Sequence, residues 1–402
     1  MTDFKVVMMG LGYIGLPTAA LIASRGITVQ GIDVNQSVVE TINEGKIHIV
    51  EPVLDGLVKH VVEKGLLKAS TTVETADVYL IAVPTPFKGD NEPDLKYVES
   101  ATRMILPNLK SGDLFIIEST CPVGTTDKMA KIIFEERPEL KGKINIAYCP
   151  ERVLPGKVIY ELEHNDRVIG GLDESSTKAA QDFYRHFVKG ELHATNAKTA
   201  EMCKLVENSS RDVQIAFANE LSMICDKAEI NVWELIKLAN KHPRVNILQP
   251  GTGVGGHCIA VDPWFIVSEF EKEAVIIRKA REINNYKTEW VIEKIKSTAL
   301  QFELDNNRKP TVALMGLAFK PDIDDLRESP AVLVADTLLS NGKFNLLLVE
   351  PNLGENEKYD LTDYKKIKEK ADIVAYLVAH KEFRGVITKA ALELDFCGIA
   401  EG

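Results

Sequence analysis

The chain has 402 residues, 45% of them hydrophobic, and carries a formal net charge of −11 at pH 7. This length predicts two or three domains, each large enough to bury a core. The negative charge argues against a general nucleic-acid or membrane-surface binder, because phosphate backbones and anionic lipids both select basic patches.

The N-terminal residues 1–5 lead directly into a strand-like run and lack the basic region, long apolar region and cleavage site of a signal peptide. No segment approaches 18 consecutive apolar residues, so no membrane partner is expected. The six cysteines form no CxxC pair and no metal-like cluster with histidine. We therefore expect a reduced, cytoplasmic protein without a metal site.

A dinucleotide-binding fingerprint follows. A strand at 4–9 precedes a GxGxxG sequence at 10–15, a helix at 17–25 and a strand at 28–32 that ends at Asp33. Gly10 allows the tight turn, Gly12 lets a pyrophosphate approach the helix N-terminus, and Gly15 allows close helix–strand packing. Asp33 would accept ribose hydroxyls and repel a 2′-phosphate. The cofactor is therefore predicted to be NAD, with FAD or a degenerate fold as the alternatives.

Further strands are predicted at 78–83, 114–118 and 144–148, separated by helices. This alternation indicates a parallel sheet covered on both faces. Ligands of such sheets bind beyond the carboxyl ends of the strands, where Thr85, Thr120 and Glu151 fall. These residues are candidates for ligand contact, although the same segments are also typical turns.

The middle of the chain is predicted to be helical. A proline-free helix from 198 to about 229 carries Lys204 and Asn208 on one face, where they can hold an oxygen and the charge that develops on it. A solvated helix face is the alternative. After a helix at 232–240, Arg244 is placed to pair with phosphate. One or two amphipathic helices at 272–300 offer apolar faces for the sheet and for a partner subunit.

A glycine-rich loop at 251–262 contains four glycines and presents Cys258, followed four residues later by Asp262. Glycines leave the backbone bare enough to close against a ligand. A buried structural thiol is the usual state of cysteine, but such a loop is a poor place to bury one. The pattern therefore predicts an accessible thiol that awaits an electrophile.

The C-terminal third repeats the strand–glycine–helix pattern, with strands at 311–315, 345–349 and 373–378. Ser329 followed by Pro330 predicts a helix start. Lys320 and Arg327 flank that helix N-terminus, a place suited to phosphate oxygens. This second, smaller nucleotide-type fold lacks the full glycine fingerprint, and a nucleotide sugar fits it.

These elements predict an α/β protein with two Rossmann-like parallel-sheet domains joined by a central helical block with a long helix. The expected boundaries are 1–195 for the NAD-binding domain, 196–305 for the helical domain that holds the dimer contacts and the catalytic loop, and 306–402 for the nucleotide-sugar domain.

The chain resembles the UDP-glucose/GDP-mannose dehydrogenase family over nearly its whole length. The motifs that carry the resemblance occur in the same order as in the family: Gly10-Leu11-Gly12-Tyr13-Ile14-Gly15, Pro84-Thr85-Pro86, Glu118-Ser119-Thr120, Glu201-Met202-Cys203-Lys204-Leu205-Val206-Glu207-Asn208, Gly255-Gly256-His257-Cys258, and Phe319-Lys320 to Arg327-Glu328-Ser329-Pro330.

The resemblance implies a four-electron oxidation of a sugar C6 alcohol to a carboxylate by NAD. It implies that Cys258 forms a thiohemiacetal and then a thioester. The other catalytic roles that it implies are oxyanion stabilisation by Lys204 and Asn208, assistance by Asp262, acid/base chemistry by Glu151 and water orientation by Thr120.

The resemblance also implies two binding sets and a homodimer, with Arg244 supplied by the same or a neighbouring subunit. The expected cofactor contacts are Gly10, Gly12, Tyr13, Ile14, Gly15, Asp33, Thr85, Thr120 and Arg327. The expected substrate contacts are Glu151, Arg152, Lys204, Asn208, Arg244, Gly255 and Lys320.

Within the family, the segments at 149–156 and 242–247 look most like the branch that oxidises UDP-N-acetyl-D-mannosamine, and UDP-N-acetylglucosamine 6-dehydrogenases share part of this pattern. Relatives that act on UDP-glucose usually carry a second glutamate where this chain has Pro155, so either Glu151 works alone or the lost group served glucose recognition. Two other classes compete, a two-electron β-hydroxyacid dehydrogenase and a non-catalytic NAD-binding protein. Cys258 and the third domain disfavour the first, because a two-electron enzyme needs no thiol to trap an aldehyde. The presence of Cys258, Lys204, Asn208 and Asp262 together disfavours the second.

Overall fold

The computed structural model describes residues 4–89, 91–154, 156–256, 258–354, 358–385, 390 and 392–399. The chain divides into two compact units. The first unit comprises Met1–Glu207 with Trp264–Glu269, and the second comprises Asn208–Pro263 with Phe270–Gly402.

The first unit is built on an eight-stranded sheet in the order β10-β9-β8-β7-β4-β1-β2-β3, and a separate two-stranded pair is formed by β5 and β6. All pairings in the large sheet are parallel except β8 with β9, which is antiparallel. The strands are β1 (Lys5–Met9), β2 (Thr28–Ile32), β3 (Leu67–Ser70), β4 (Val78–Ile81), β5 (Phe87–Lys88), β6 (Glu92–Pro93), β7 (Leu114–Ile117), β8 (Asn145–Tyr148), β9 (Arg167–Gly171) and β10 (Leu192–Asn196).

Helices cover both faces of this sheet. Along β1, Val6 and Met8 belong to one buried cluster, whereas Val7 and Met9 belong to another. Successive side chains of a strand point to opposite faces, so each face has its own core. The helices are α1 (Gly15–Ser24), α2 (Gln36–Asn43), α3 (Leu54–Glu63), α4 (Lys96–Ile105), α5 (Thr125–Glu136), α6 (Val158–His164) and α7 (Glu174–Tyr184), with 3₁₀ turns at Leu106–Asn108 and Pro138–Leu140.

Four helices form the middle of the chain. They are α8 (Ala197–Lys227), α9 (Val232–Ala239), α10 (Asp262–Glu269) and α11 (Val275–Asn306). The helices α8 and α11 have 31 and 32 residues, so each predicted long helical stretch is a single helix. The division between the two units falls within α8, after Glu207.

The second unit contains a four-stranded parallel sheet in the order β12-β11-β13-β14. Its strands are β11 (Thr311–Met315), β12 (Asn345–Val349), β13 (Ile373–Tyr376) and β14 (Leu392–Asp395), accompanied by α12 (Pro330–Asn341) and by 3₁₀ turns at Tyr364–Glu369 and Lys381–Phe383. The Ser329 side chain accepts a hydrogen bond from the Val332 N–H, which confirms the predicted start of α12.

The predicted α/β class with two Rossmann-like parallel sheets is confirmed. The three-domain boundaries stay a prediction; β10 ends at Asn196 and α11 ends at Asn306, close to the positions expected for them. Within the part of the chain that the structure describes, no helix has both the length and the apolar character needed to span a bilayer.

Candidate active site

The glycine turn of the first unit has the geometry that a dinucleotide requires. Gly10 has a φ of 90°, and a Cβ on Gly15 would lie 1.9 Å from the Gly10 carbonyl oxygen. These two glycines are therefore required by the fold. A Cβ on Gly12 would meet no atom within 4 Å, so the space beside Gly12 is open to a ligand.

Asp33 lies beside this turn at the end of β2. One of its carboxylate oxygens accepts the Leu11 N–H at 3.1 Å and the other accepts the Asn35 N–H at 2.9 Å. Each oxygen keeps a lone pair for a ribose hydroxyl. The open space at Gly12, the acid and the N-terminus of α1 together fit NAD.

Tyr13 and Ile14 complete the turn. The Tyr13 hydroxyl donates to the buried Glu51 carboxylate at 3.0 Å. Glu51 also accepts the N–H groups of Gly156 at 2.9 Å and Val158 at 2.8 Å, at the start of α6. Glu51 therefore ties the glycine turn to the segment that follows Glu151. Sequence reasoning missed this residue because no local pattern marks it.

The loops that follow β4 and β7 are tied together. The Thr85 hydroxyl donates to the Thr120 carbonyl at 2.7 Å. The Ser119 hydroxyl donates to the Val83 carbonyl at 2.8 Å and accepts the Val83 N–H at 2.9 Å. The structure therefore brings Thr85 and Thr120 together at the carboxyl edge of the sheet.

Glu151 follows β8 and is held by a buried arginine. One of its carboxylate oxygens lies 2.8 Å from the Arg167 guanidinium, and the other accepts the Arg152 N–H at 2.8 Å. Pro155, which stands where relatives acting on UDP-glucose carry a second glutamate, lies outside the described residues. Arg167 begins β9, far from Glu151 in sequence, and sequence reasoning missed it.

A second carboxylate, Glu118, is buried in the same cluster. It accepts the Tyr184 hydroxyl at 2.6 Å. Burial raises the pKa of Glu118 to about 7, although the positive charge of Arg167 acts in the opposite direction. The guanidinium of Arg167 also lies 5.0 Å from the centre of the Tyr184 ring. The site of Glu151 thus rests on a layer of buried polar groups.

Arg152 points away from Glu151. Its guanidinium donates to the Glu207 carboxylate at 2.7 Å and to the Asp166 carbonyl at 2.5 Å. This ion pair fixes the Arg152 side chain against the first turns of α8.

Helix α8 carries Lys204 and Asn208 one turn apart, as predicted. Near its start, the buried Glu201 carboxylate accepts the N–H groups of Gly124 at 2.6 Å and Thr126 at 2.8 Å. It therefore supplies the negative charge that the N-terminus of α5 favours. This contact fixes the segment after Thr120 against the turn that precedes Lys204.

The loop that carries Cys258 lies in the second unit. The Cys258 side chain is exposed, and the Cys258 carbonyl accepts the Asp262 N–H at 2.8 Å. The Asn208 amide donates to the Asp262 carboxylate at 2.5 Å. The structure therefore brings together three of the predicted catalytic residues.

The glycines of this loop are needed for close packing. A Cβ on Gly255 would lie 2.4 Å from the Glu328 carbonyl oxygen. Gly256 has a φ of 82°, and a Cβ there would lie 2.9 Å from the Phe319 ring. The loop thus packs against the segment that contains the predicted phosphate-binding residues.

Those basic residues lie at the surface of the second unit. Lys320 and Arg244 are exposed. The guanidinium of Arg327 pairs with the Asp325 carboxylate through contacts of 2.6 to 3.0 Å. A phosphate at Arg327 would therefore share this guanidinium with Asp325.

Two groups of acidic residues and histidine have ligand atoms close enough together to hold a metal ion, Asp166 with Glu191 and His193, and Asp322 with His380 and Glu382. The first group is fully exposed, as acidic groups without a metal often are. In the second group, His380 Nδ1 already accepts the Asp322 N–H at 2.9 Å and Nε2 already contacts the Glu350 carboxylate at 3.0 Å. Neither group among the described residues indicates a metal.

Comparison with known protein families gives three matches along the chain. The NAD binding domain of the UDP-glucose/GDP-mannose dehydrogenase family matches residues 4–188, its central domain matches 198–286, and its UDP binding domain matches 313–399.

Individual relatives are similar over almost their full length. The UDP-N-acetyl-D-mannosamine dehydrogenase of Campylobacter jejuni is 56% identical over 395 residues, which cover 94% of this chain and 96% of the relative. The NDP-N-acetyl-D-galactosaminuronic acid dehydrogenase of Ralstonia nicotianae is 51% identical over 399 residues, covering 96% and 93%.

Among solved structures, the UDP-N-acetyl-mannosamine dehydrogenase of S. aureus superposes with a TM-score of 0.86 at 39% identity, covering 99% of both chains. All three domains of one family model thus match in order along the chain, and the chain belongs to the UDP-glucose/GDP-mannose dehydrogenase family.

Proposed function

We propose that the protein oxidises the C6 hydroxyl of UDP-N-acetyl-D-mannosamine to the carboxylate of UDP-N-acetyl-D-mannosaminuronate. The observation that carries this proposal is the exposure of Cys258 in the glycine-rich loop. The C-terminal end of that loop is held by the Asn208–Asp262 hydrogen bond. The names of the relatives from C. jejuni and S. aureus support the choice of substrate.

The chemistry explains why a thiol is needed. NAD supplies the hydride acceptor for both oxidations, so that one alcohol, two NAD⁺ and one water become one carboxylate, two NADH and three protons. Between the oxidations, the Cys258 sulfur bonds to the aldehyde carbon, and the carbonyl oxygen takes a proton to give a thiohemiacetal. After the second oxidation, water adds to the thioester carbon and the carbon–sulfur bond breaks.

The other catalytic residues would stabilise negative charge or transfer protons. Lys204 and Asn208 would stabilise the oxyanion that forms when sulfur or water attacks, because cationic and amide donors offset developing charge. Asp262 fixes the Asn208 amide at 2.5 Å, so that this donor stays oriented. Glu151 would take the proton of the attacking water, and Thr120 would orient that water.

The binding roles follow the two nucleotide-type folds. The glycine turn with Tyr13, Ile14, Asp33, Thr85 and Thr120 would hold NAD, with Arg327 on its pyrophosphate. Glu151, Arg152, Lys204, Asn208, Arg244, Gly255 and Lys320 would hold the UDP-sugar. We also propose the three-domain organisation, a homodimer and a cytoplasmic role in surface polysaccharide synthesis.

The direct test is the yield of NADH from a limiting amount of sugar nucleotide. Two NADH per UDP-N-acetylmannosamine and none from UDP-N-acetylglucosamine support both the route and the substrate. One NADH per sugar refutes the role of Cys258. The Cys258→Ser variant should lose oxidation by orders of magnitude and still bind NAD, and full turnover in that variant refutes covalent catalysis.

A second substrate is favoured by a specific relative, the N-acetyl-D-galactosaminuronic acid dehydrogenase at 51% identity. UDP-N-acetylgalactosamine therefore belongs in a parallel assay. Two NADH per sugar from this substrate alone would keep the mechanism and replace the substrate.

A further inference from the structure

A chain of buried polar side chains connects α8, α11 and the start of the Cys258 loop within the second unit. Its members are at most 2% exposed: Asp212, Asn219, Arg281 and Asn284. Arg281 donates to the Asp212 carboxylate at 2.6 Å. Burying polar groups of this kind lowers stability unless they form hydrogen bonds with one another. Their hydrogen bonds therefore specify one arrangement of α8 against α11.

The chain has a direction that the chemistry of its groups fixes. The Asp212 carboxylate only accepts, so Asn284 presents its NH₂ to Asp212 at 2.8 Å. The Asn284 oxygen then faces Asn219 and accepts its NH₂ at 2.9 Å. The Asn219 oxygen is left to accept the Gly251 N–H at 2.9 Å. The Asp212 carboxylate thus orients the Asn284 amide, which in turn orients the Asn219 amide.

The chain of hydrogen bonds ends at Gly251, the first residue of the glycine-rich loop. At the next residue, the Thr252 carbonyl accepts the Thr288 hydroxyl at 3.0 Å, and the Thr252 hydroxyl donates to the Leu377 carbonyl at 2.7 Å. The loop is therefore fixed to buried groups at its entry and to Asn208 through Asp262 at its exit. Cys258 lies between these anchors in a segment whose glycines offer little conformational restraint of their own.

We propose that Asn219 is a positioning residue for the Cys258 thiol, and that Asp212 orients Asn219 through Asn284. This inference rests on the proposed function, in which the thiol captures an aldehyde. A loop released at Gly251 would leave the thiol misplaced when the aldehyde forms. Because small displacements of a reacting group reduce rate strongly, the aldehyde would escape before capture.

The test is the Asn219→Leu variant, which replaces the amide with an apolar side chain of similar size. We expect kcat for complete oxidation to fall tenfold or more, NAD affinity to stay within twofold, and free aldehyde to appear in a hydrazide trap added during turnover. The wild-type enzyme should release none. A purely structural role would lower activity in proportion to the folded fraction and release no aldehyde.

The matched control is Lys287→Met. Lys287 is also buried on α11 and donates to Ser222 on α8 at 2.7 Å. We expect this variant to be no more stable than the wild type and to release no aldehyde. Equal aldehyde release from Lys287→Met and Asn219→Leu would overturn the inference, because general loosening of α8 against α11 would then explain both.

A second variant keeps the inference testable if Asn219→Leu does not fold. Thr288→Val is isosteric and removes only the hydroxyl that donates to Thr252. We expect it to release aldehyde with a severalfold loss of kcat. Absence of aldehyde from folded Asn219→Leu at wild-type kcat would refute the role of Asn219. The same result from Thr288→Val alone would refute the fixing of the loop at its entry, on which that role depends.

Cys258→Ser, assayed alongside, separates the role of the Cys258 thiol from the role of Asn219. If the wild-type enzyme forms no NADH from the sugar nucleotide, the proposed function fails. If Cys258→Ser still yields two NADH per sugar, covalent catalysis fails, and the inference about Asn219 fails with it. If Cys258→Ser is inactive and Asn219→Leu behaves as wild type, only the inference about Asn219 fails.

Discussion

The glycine turn of the first unit allows a sharp distinction between a glycine required by the fold and a glycine required by the cofactor. In Gly15→Ala, the new Cβ would lie 1.9 Å from the Gly10 carbonyl oxygen, so backbone must move. Overpacking of this kind costs about 1–3 kcal/mol, and we expect the free energy of unfolding to fall by about 3 kcal/mol. In Gly12→Ala, the Cβ would meet no atom within 4 Å, and we expect a change within about 0.5 kcal/mol.

For NAD binding we expect the largest specific effect in Gly12→Ala. The added methyl group would keep the pyrophosphate away from the N–H groups of the turn. A hydrogen bond to a charged group contributes about 1.5–3 kcal/mol, so the loss of one should weaken binding about 10- to 150-fold.

Urea unfolding and calorimetric titration with NAD measure the two quantities separately. Gly56→Ala is the control, because Gly56 lies within α3 and its Cβ would also meet no atom within 4 Å. Alanine in a helix should preserve or slightly raise stability and leave NAD affinity unchanged. A Gly12→Ala variant that loses as much stability as Gly15→Ala and binds NAD normally would contradict the reasoning.

Three further predictions concern other parts of the molecule. Gly255→Ala places a Cβ 2.4 Å from a backbone oxygen and should reduce kcat at least tenfold, whereas Gly251→Ala, whose nearest neighbour would be 3.8 Å away, should stay within twofold in the same steady-state assay. Glu201→Gln exchanges one acceptor oxygen for an NH₂ that faces backbone N–H donors and should lower the urea midpoint; an unchanged midpoint would show that the cap on α5 is unimportant. Burial raises the pKa of Asp113 from 3.8 to about 6, so its carboxyl contributes stability in full below pH 3.8 and loses it as pH rises through about 6. Asp113→Asn should therefore gain stability over the wild type at pH 7.5 relative to pH 4.5 in thermal unfolding, and a difference that is independent of pH would refute this.

The sequence predicted most directly the elements whose pattern is strongest. The central strands β1 and β11 have four buried residues in a row, and such runs followed by glycine are typical of parallel sheets. By contrast, β10 is an edge strand with no fully buried residue, so its composition does not distinguish it from a loop. The short strand β14 also has no buried residue and was missed for the same reason. The four-residue strand β3 was missed although Leu67 and Ala69 are buried, because so short an alternation gives only a weak pattern.

The candidate site divides in a similar way. Cys258 and Asp262 could be proposed as site residues from the sequence because both fall in one glycine-rich loop. Arg167 and Glu51 reach their partners from distant parts of the chain, at sequence separations of 16 and 105 residues. Only tertiary structure creates those contacts, and no local spacing rule indicates them.

The two nucleotide-type folds also differ in the use of the acid that follows their second strand. In the first fold, Asp33 is only partly buried and keeps lone pairs available beside an open turn. In the second fold, the corresponding Glu350 is buried, and one oxygen accepts the Leu317 N–H at 2.7 Å and the Ala318 N–H at 2.9 Å.

His380 completes this arrangement. Its Nδ1 accepts a backbone N–H, so its Nε2 carries the proton and donates to the same Glu350 oxygen at 3.0 Å. Burial alone would raise the pKa of Glu350, but the hydrogen bonds from His380 and the backbone outweigh it and lower the pKa. An acid committed in this way has no lone pair to offer a ribose on that oxygen. The second fold therefore retains the strand–glycine–helix architecture, while its acid stabilises the turn and is not left open to a ligand as Asp33 is.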